Sequence, residues 1–174
     1  MSTPAPFGRM LTAMVTPFKK DGSIDWDGVE KIADHLVKTG HDGIVVNGTT
    51  GEAPTTKSSE KEEIIKVVKR VVGANIKVVS GAGDNETDYS INQAKRSEAA
   101  GADGILVVTP YYNKPPQAGI KAHFLAMANA TGLPMMLYDI PGRTGVEIES
   151  DTIVELFEHP SIVALKDAKG NVAA

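Results

Sequence analysis

Residues 39–46 read TGHDGIVV, and the same pattern returns at residues 100–107 as AGADGILV. Both segments consist of a small residue, a glycine, a variable residue, Asp-Gly and an apolar run. Glycines at positions 40, 73, 101 and 132 follow helix-like segments at intervals of 28 to 33 residues. Glycine at a helix end favours a left-handed cap. A repeat of about 30 residues matches the length of one strand, one helix and two short loops.

Apolar runs and helical patterns alternate along the chain. Six short, mostly β-branched or aliphatic runs predict strands that are covered on both faces, at residues 10–16, 43–46, 76–80, 104–109, 135–139 and 162–166. Amphipathic patterns predict helices at residues 26–39, 58–72, 87–100, 117–130 and 149–158. Ser59 and Glu62 are the expected capping box of the second helix. Strict alternation of strands and helices predicts a parallel α/β fold.

Two parallel architectures compete for this pattern. A doubly wound sheet commonly has a glycine-rich phosphate turn after its first strand, but residues 15–18 read VTPF. The turn at residues 81–83 fails the dinucleotide fingerprint because Glu86 stands at its last glycine position. The even repeat favours a (β/α)8 TIM barrel. We therefore expect one partial barrel domain over residues 1–174 with about six strands, lacking the last two βα units and the C-terminal helical region.

Composition and charge exclude several classes of protein. Hydrophobic residues make up 41% and charged residues 23% of the chain, as in soluble globular domains. A net charge of −4 offers no basic field for nucleic acid. The chain has no cysteine, and its four histidines lack metal-ligand spacing. We therefore expect no metal or cofactor. No apolar run is long enough to span a bilayer, and the N-terminal residues lack a signal-peptide pattern, so we expect a cytoplasmic protein.

Polar residues follow the predicted strands, where barrel enzymes carry their active sites. Apolar surroundings such as those of Lys166 favour the neutral amine of a lysine, which attacks carbonyls to form a Schiff base. Such an imine is an electron sink for making and breaking carbon–carbon bonds. Arg143 can bind a carboxylate through two parallel hydrogen bonds. Threonine and tyrosine hydroxyls can relay protons, and N–H groups in the turn at residues 48–51 can bind a second carboxylate.

Each of these residues also has a structural interpretation. Lys166 can pair with its neighbour Asp167. Tyr111 and Tyr112 are adjacent and point to opposite sides, so at most one of them faces a substrate. Arg143 can cap a helix or pair with a surface carboxylate, and the threonines can be ordinary turn residues. Their joint position after successive strands is what favours an active site.

Four motifs resemble a known family. They are GTTGE at residues 48–52, VTPYYNKP at 108–115, YDIPGRT at 138–144 and LKD at 165–167. In this order and spacing they resemble the dihydrodipicolinate synthase family of the pyruvate-dependent class I aldolase and lyase superfamily, over Leu11 to Val172. The resemblance implies a lyase of lysine and diaminopimelate biosynthesis. Such a lyase condenses pyruvate with L-aspartate 4-semialdehyde to give 4-hydroxy-tetrahydrodipicolinate.

The resemblance also implies roles for individual residues. Lys166 matches the Schiff-base lysine, and Tyr138 matches the general acid/base beside it. Thr49, Tyr112 and Tyr138 match a proton relay, to which Tyr112 is contributed across a dimer interface. The family context implies a homotetramer, arranged as a dimer of dimers.

Substrate binding is implied at three further positions. Gly48 and Thr50 match the turn that holds the pyruvate carboxylate, and Arg143 matches the arginine that binds the carboxylate of the aldehyde. Sialic acid lyases share the lysine and the tyrosine but lack this arginine. Asp139 replaces the asparagine of many family members, which we interpret as a mild change.

Two alternatives to this activity stay open. The chain could be a truncated barrel fragment that keeps the site residues without catalysis, because an open barrel admits water to Lys166. Such a fragment could still associate with like chains. The chain could also be a sibling pyruvate aldolase that uses a different aldehyde.

Overall fold

A computed structural model describes residues 5–171, which form two compact units. Unit 1 comprises the residues up to Gly81 together with Arg96–Gly104, and unit 2 comprises Ala82–Lys95 together with the residues from Ile105 onward. The ends of the expected 1–174 domain, residues 1–4 and 172–174, lie outside the described residues.

Strands and helices alternate as predicted. The strands are β1 (Leu11–Ala13), β2 (Gly43–Val46), β3 (Lys77–Gly81), β4 (Gly104–Val108), β5 (Met135–Asp139) and β6 (Ile162–Asp167). The helices are α1 (Trp26–Lys38), α2 (Ser58–Val72), α3 (Thr87–Ala99), α4 (Gln117–Ala128), α5 (Pro141–Thr144) and α6 (Ser150–Leu156). The strand order follows the chain, β1-β2-β3-β4-β5-β6, without the reversal of a doubly wound sheet.

Unit 1 contains a parallel ladder that runs from β1 through β2 to β3. Ala13 pairs with Val45, and Val45 in turn pairs with Val79. All four residues of β2 are buried, which agrees with a strand covered on both faces. Helix α1 begins at the N-cap Asp25, whose carboxylate accepts a hydrogen bond from the backbone N–H of Gly28 at 3.2 Å.

The structure corrects two local predictions in unit 1. β1 has three half-buried residues rather than the predicted seven, and the side chains of Met10 and Val15 outside it are exposed. The expected capping box of Ser59 and Glu62 is wrong. Helix α2 begins at Ser58, and it is Glu60 that accepts a hydrogen bond from the N–H of Lys57 at 2.7 Å. Two short elements were not predicted, a 3₁₀ helix at Ala53–Thr55 and the four-residue α5.

Unit 2 contains the parallel ladder of β4, β5 and β6 and a continuous hydrophobic core. Val108 pairs with Tyr138, and Tyr138 pairs with Lys166. Phe124 and Met127 of α4 are fully buried against Leu137 of β5 and Leu156 of α6. Truncating a side chain such as Phe124 to alanine typically costs about 3–5 kcal/mol. This core fixes the strands whose carboxyl ends carry the residues considered below.

Glycine is required where β3 passes the end of β2. A Cβ atom built on Gly81 would overlap the carbonyl oxygen of Asn47 and lie 3.2 Å from the backbone nitrogen of Gly48. Both neighbours are backbone atoms, which cannot rotate away as a flexible side chain would. The contact holds the turn after β2 tightly against β3.

Replacing Gly81 with alanine should therefore destabilise the protein. We expect the free energy of unfolding to fall by about 1–3 kcal/mol, the usual effect of forcing extra atoms into a packed site. Chemical denaturation monitored by circular dichroism would measure it. Gly142→Ala is the matched control, because a Cβ there meets no heavy atom within 4 Å and its φ lies outside the left-handed region. Equal stability of the two variants would contradict the argument.

His123 is a buried titratable group in the core of unit 2. Its Nδ1 lies 3.0 Å from the hydroxyl of Thr87, whereas its Nε2 has no hydrogen-bond partner among the described residues. Burial lowers the pKa of His123 below its ordinary 6.5, and the charge of Asp84 opposes that shift only in part. The folded state therefore favours the neutral imidazole of His123 over the charged form.

Acid should destabilise the protein through His123. The pKa of His123 is lower in the folded than in the unfolded state. The stability that the neutral ring contributes is therefore fully present above pH 6.5 and is lost as the pH falls through the pKa of the folded state. We expect the free energy of unfolding of the wild type to fall more between pH 7 and pH 5 than that of His123→Gln. Denaturation at stepped pH would measure the difference. His35→Gln removes an exposed histidine as the control, and a His123→Gln profile parallel to the wild type would refute the assignment.

Candidate active site

Tyr138 and Lys166 lie side by side at the carboxyl ends of β5 and β6. The two residues are register partners in the parallel ladder. Lys166 Nζ lies 4.2 Å from the centroid of the Tyr138 ring, within the range of a cation–π contact. Tyr138 is buried and Lys166 is half-buried, so the amine lies between the core and solvent. The predicted pairing of a lysine with a tyrosine is therefore present in unit 2.

Neighbouring backbone groups hold Tyr138 in place. The backbone N–H of Thr109 donates to the carbonyl oxygen of Tyr138 at 3.1 Å. The hydroxyl of Thr109 donates to the same oxygen at 3.3 Å. Thr109 is itself fully buried at the end of β4. The tyrosine backbone thus has little freedom to move along the strand.

Arg143 lies on α5, the short helix that directly follows β5. Pro141 begins this helix, and Gly145, with φ 76°, ends it. The buried hydroxyl of Thr144 donates to the carbonyl oxygen of Val146 at 2.7 Å and fixes the turn. The Arg143 side chain is exposed, and no carboxylate of residues 5–171 forms an ion pair with it. Pairing with a surface carboxylate, one of its structural interpretations, is thus not seen within the described chain.

The adjacent tyrosines after β4 have separate environments, as predicted. The hydroxyl of Tyr111 donates to Asp84 Oδ2 at 2.9 Å. Burial, together with the bonded and charged Asp84, raises the pKa of Tyr111 to about 12. Tyr112 is 86% exposed and adopts a left-handed backbone with φ 71°. Tyr111 is thus a packed structural residue, whereas Tyr112 projects into solvent.

Unit 1 carries Gly48, Thr49 and Thr50 in the turn after β2. Glu52 and Ala53 donate backbone hydrogen bonds to the carbonyl oxygens of Thr49 and Gly48, which closes the turn. Thr49 and Thr50 are both exposed.

The base of this turn is fixed from inside unit 1. The buried hydroxyl of Thr16 donates to the carbonyl oxygen of Gly51 at 2.7 Å. Asn47 is also buried, and its side chain donates to the Ser80 hydroxyl at 3.2 Å. The backbone N–H of Gly51, which we expected to be available for a carboxylate, donates instead to Gly48. The two threonines are therefore held on a rigid support.

Sequence analysis missed a buried ion pair next to Tyr138. Asp139 is fully buried, and Lys169 Nζ lies 3.2 Å from its Oδ2. Burial raises the pKa of the Asp139 carboxyl, while the Lys169 hydrogen bond opposes this shift. Burial alone would lower the pKa of Lys169, but the bond and charge of Asp139 outweigh it and raise that pKa. An acidic residue in an otherwise apolar strand was the available signal, because a buried carboxylate requires a partner.

Two further searches concern metals and membranes. Among residues 5–171, no three His, Asp or Glu side chains are grouped so that they could hold a metal ion. None of the helices in that range combines the length and apolar character needed to cross a membrane.

Comparison with known proteins identifies the family. The sequence model of the Dihydrodipicolinate synthetase family matches residues 6–174. A curated relative, the 4-hydroxy-tetrahydrodipicolinate synthase of Acidothermus cellulolyticus, is 60% identical over 171 residues. The match covers 98% of this chain and 56% of the relative. The chain therefore spans a little over half the length of this relative.

Solved structures agree with the sequence match. The dihydrodipicolinate synthase of Cyanidioschyzon merolae with lysine bound aligns with a TM-score of 0.93 at 52% identity, over 95% of this chain and 57% of that one. The chloride-inhibited enzyme of Acinetobacter baumannii complexed with pyruvate aligns with a TM-score of 0.92 at 45% identity, over 94% and 56%. The predicted fold class, the first six strands of a TIM barrel of this kind, is confirmed. The chain belongs to the dihydrodipicolinate synthetase family.

Proposed function

We propose that this protein is a lyase that condenses pyruvate with L-aspartate 4-semialdehyde to give 4-hydroxy-tetrahydrodipicolinate. The observation that carries the proposal is the register pairing of Lys166 with Tyr138, which sets an amine 4.2 Å from the centre of a phenol ring. Relatives at up to 60% identity named for this synthase support the choice of reaction. The reaction would serve lysine and diaminopimelate biosynthesis in the cytoplasm.

Lys166 is the proposed nucleophile. Its amine adds to the keto carbon of pyruvate, and loss of water gives an imine. Removal of a proton from the adjacent methyl group then gives an enamine, whose carbon attacks the aldehyde carbon of the second substrate. The amino group of that substrate then attacks the imine carbon, which closes the ring and releases the Lys166 amine. Tyr138 is the proposed general acid/base for these proton transfers, because it is the register partner of Lys166.

The remaining residues bind substrate or complete the proton relay in this proposal. Gly48 and Thr50, in the turn after β2, bind the pyruvate carboxylate. Arg143 binds the carboxylate of the aldehyde, since its exposed guanidinium can form two parallel hydrogen bonds. Thr49 and Tyr112 complete a relay with Tyr138.

A homo-oligomer, arranged as a dimer of dimers, is part of the same proposal. An exposed tyrosine held in a left-handed conformation, such as Tyr112, suits a contact with a second copy of the chain. A non-catalytic fragment is the second candidate, which the half-burial of Lys166 favours because its side chain is not fully shielded from solvent.

Trapping with pyruvate and borohydride tests the Schiff base. Borohydride reduces an imine to a stable secondary amine, so intact mass should reveal one reduced pyruvate per chain and peptide mapping should place it on Lys166. Lys166→Met should lose the adduct entirely, whereas Lys121→Met, which removes a lysine from a surface ion pair with Glu155, should keep it. A wild-type chain that stays unmodified would favour the non-catalytic fragment.

Arg143→Met tests the choice of the second substrate. Hydrogen bonds to charged groups contribute about 1.5–3 kcal/mol, so the KM for L-aspartate 4-semialdehyde should rise on the order of 10- to 100-fold. Trapping of pyruvate on Lys166 should be unchanged. Arg70→Met, which removes a surface arginine paired with Glu30 at 2.6 Å, is the control. A normal KM in Arg143→Met, or a preference of the wild type for an uncharged aldehyde, would instead indicate a sibling aldolase.

A further inference from the structure

Among the ion pairs of residues 5–171, the one between Asp139 and Lys169 is the most deeply buried. Asp139 Oδ2 receives the Lys169 amine at 3.2 Å and the backbone N–H of Ile148 at 3.2 Å. The same amine donates to the carbonyl oxygen of Ile148 at 3.3 Å and lies 3.7 Å from Glu147 Oε2. Lys169 thus connects the residue after Tyr138 with the segment before α6.

Further hydrogen bonds hold the three residues that follow Lys166. Asp167 accepts a hydrogen bond from the backbone N–H of Lys169 at 2.7 Å. The backbone N–H of Ala168 donates to the carbonyl oxygen of Asp139 at 2.9 Å. With the side-chain contact of Lys169, each residue from 167 to 169 is tied either to Asp139 or to its own neighbour. Hydrogen bonds and the ion pair thereby link the carboxyl end of β6 to Asp139.

The contacts between the carboxyl end of β6 and Asp139 bear on the register of β5 and β6. The pairing begins with Met135 opposite Ile162 but continues with Met136 opposite Ala164, so it shifts by one residue near its start. A strand that slips by one residue turns every side chain to the other face. The contact of Lys169 with Asp139 adds a restraint on this register beyond its last pair, Asp139 opposite Asp167.

The burial of Asp139 makes its ion pair with Lys169 costly to break. Asp139 has no exposed surface, and its Oδ1 has no hydrogen-bond partner within residues 5–171. Removing the amine of Lys169 would leave a buried carboxylate without a counter-charge, which is strongly unfavourable. Lys169 is itself mostly buried, and its bond with Asp139 raises its pKa, so it stays charged across the neutral range. Two donors, the amine of Lys169 and the backbone N–H of Ile148, thus converge on Asp139 Oδ2.

We propose that the Asp139–Lys169 ion pair is a positioning device that locks the register of β6 against β5 and so holds the Lys166 amine beside Tyr138. The catalytic part of this proposal rests on the proposed function, because it concerns the reactivity of Lys166. Lys169 acts through the strand that carries the nucleophile and does not itself take part in the chemistry.

Lys169→Met is the first test. A displacement of a reacting group by about 1 Å can lower a rate on the order of 100-fold, so we expect the saturating rate of pyruvate trapping on Lys166 to fall 10- to 100-fold. The pyruvate concentration that gives half the maximal rate should change less than about twofold, because binding groups on other elements are untouched. Lys169→Arg keeps the charge and should restore the rate to within about threefold of the wild type. Lys121→Met, which breaks an exposed ion pair, should behave as the wild type.

A double variant separates positioning from general stability. Asp139→Asn combined with Lys169→Met removes both charges, so no carboxylate is left buried and unpaired, and the thermal midpoint should recover relative to Lys169→Met alone. The trapping rate should remain low, because the link between the two strands is still absent. Recovery of the rate together with the midpoint would show that the pair serves only stability, and it would overturn the proposal.

Hydrogen exchange tests the lock without relying on catalysis. The Ala168 N–H donates to the backbone carbonyl oxygen of Asp139, and a strand end released from Lys169 should open this bond more often. Peptides covering residues 162–169 should therefore exchange at least about tenfold faster in Lys169→Met and in the double variant. Peptides from α4 should be unchanged. If the wild type forms no pyruvate adduct, the proposed function fails, and exchange still decides whether the pair locks the strand. Unchanged exchange in Lys169→Met would contradict the lock in either case.

Discussion

Burial removes the hydration of a carboxylate, and only hydrogen-bond donors and a nearby positive charge can compensate for that loss. Asp139 is in this position at the end of β5, and it obtains its compensation from Lys169 and Ile148. Both partners come from segments that follow Asp139 in the chain. The end of β5, the start of α6 and the end of β6 are consequently arranged around one side chain. Tyr138 and Lys166, at the ends of two of these strands, lie next to this arrangement as register partners.

The parallel ladder brings the side chains at the carboxyl ends of neighbouring strands close together. Parallel strands present their carboxyl ends at the same edge, so side chains at those ends are brought together without any long-range recognition between them. Tyr138 and Lys166 are neighbours for this reason, as register partners. In unit 1 the same geometry places Thr49 and Thr50 directly after β2, where Thr16 and Asn47 fix the turn from below. Rigid strands therefore carry the proposed reactive groups, and polar contacts such as those of Thr16 and Asn47 support the turn that follows β2.

Much of the fold was readable from the sequence because its signals are local. The buried runs at residues 43–46 and 135–139 became β2 and β5 with unchanged bounds. Gly40, Gly73 and Gly101 have positive φ angles after helices, as the repeat predicted, whereas Gly132 does not. α5 was missed because four residues containing proline and glycine carry no helical period.

The candidate site was readable to the extent that it depends on residue type and position after a strand. Lys166, Tyr138 and Arg143 were proposed in this way and stay predictions, whereas the family is confirmed by its sequence model. Lys169 was not found, since along the chain it is one more lysine in a polar segment. Only the partner opposite it in space distinguishes it. Asp139 was interpreted as a mild change, although its full burial makes it a central residue of unit 2.

The loop after β4 has a mechanical consequence of its own. Tyr112 and Lys114 both adopt left-handed backbone conformations, which cost a non-glycine residue roughly 1–2 kcal/mol each. Such a loop keeps its shape only while its ends are tethered, and here the tethers are Tyr111 bonded to Asp84 and Asn113 near the carbonyl oxygen of Asn85. The orientation of the most exposed tyrosine is therefore governed by an aspartate on a different loop. Loss of the hydrogen bond between Tyr111 and Asp84 would remove one of the two contacts that hold Tyr112 in its left-handed conformation.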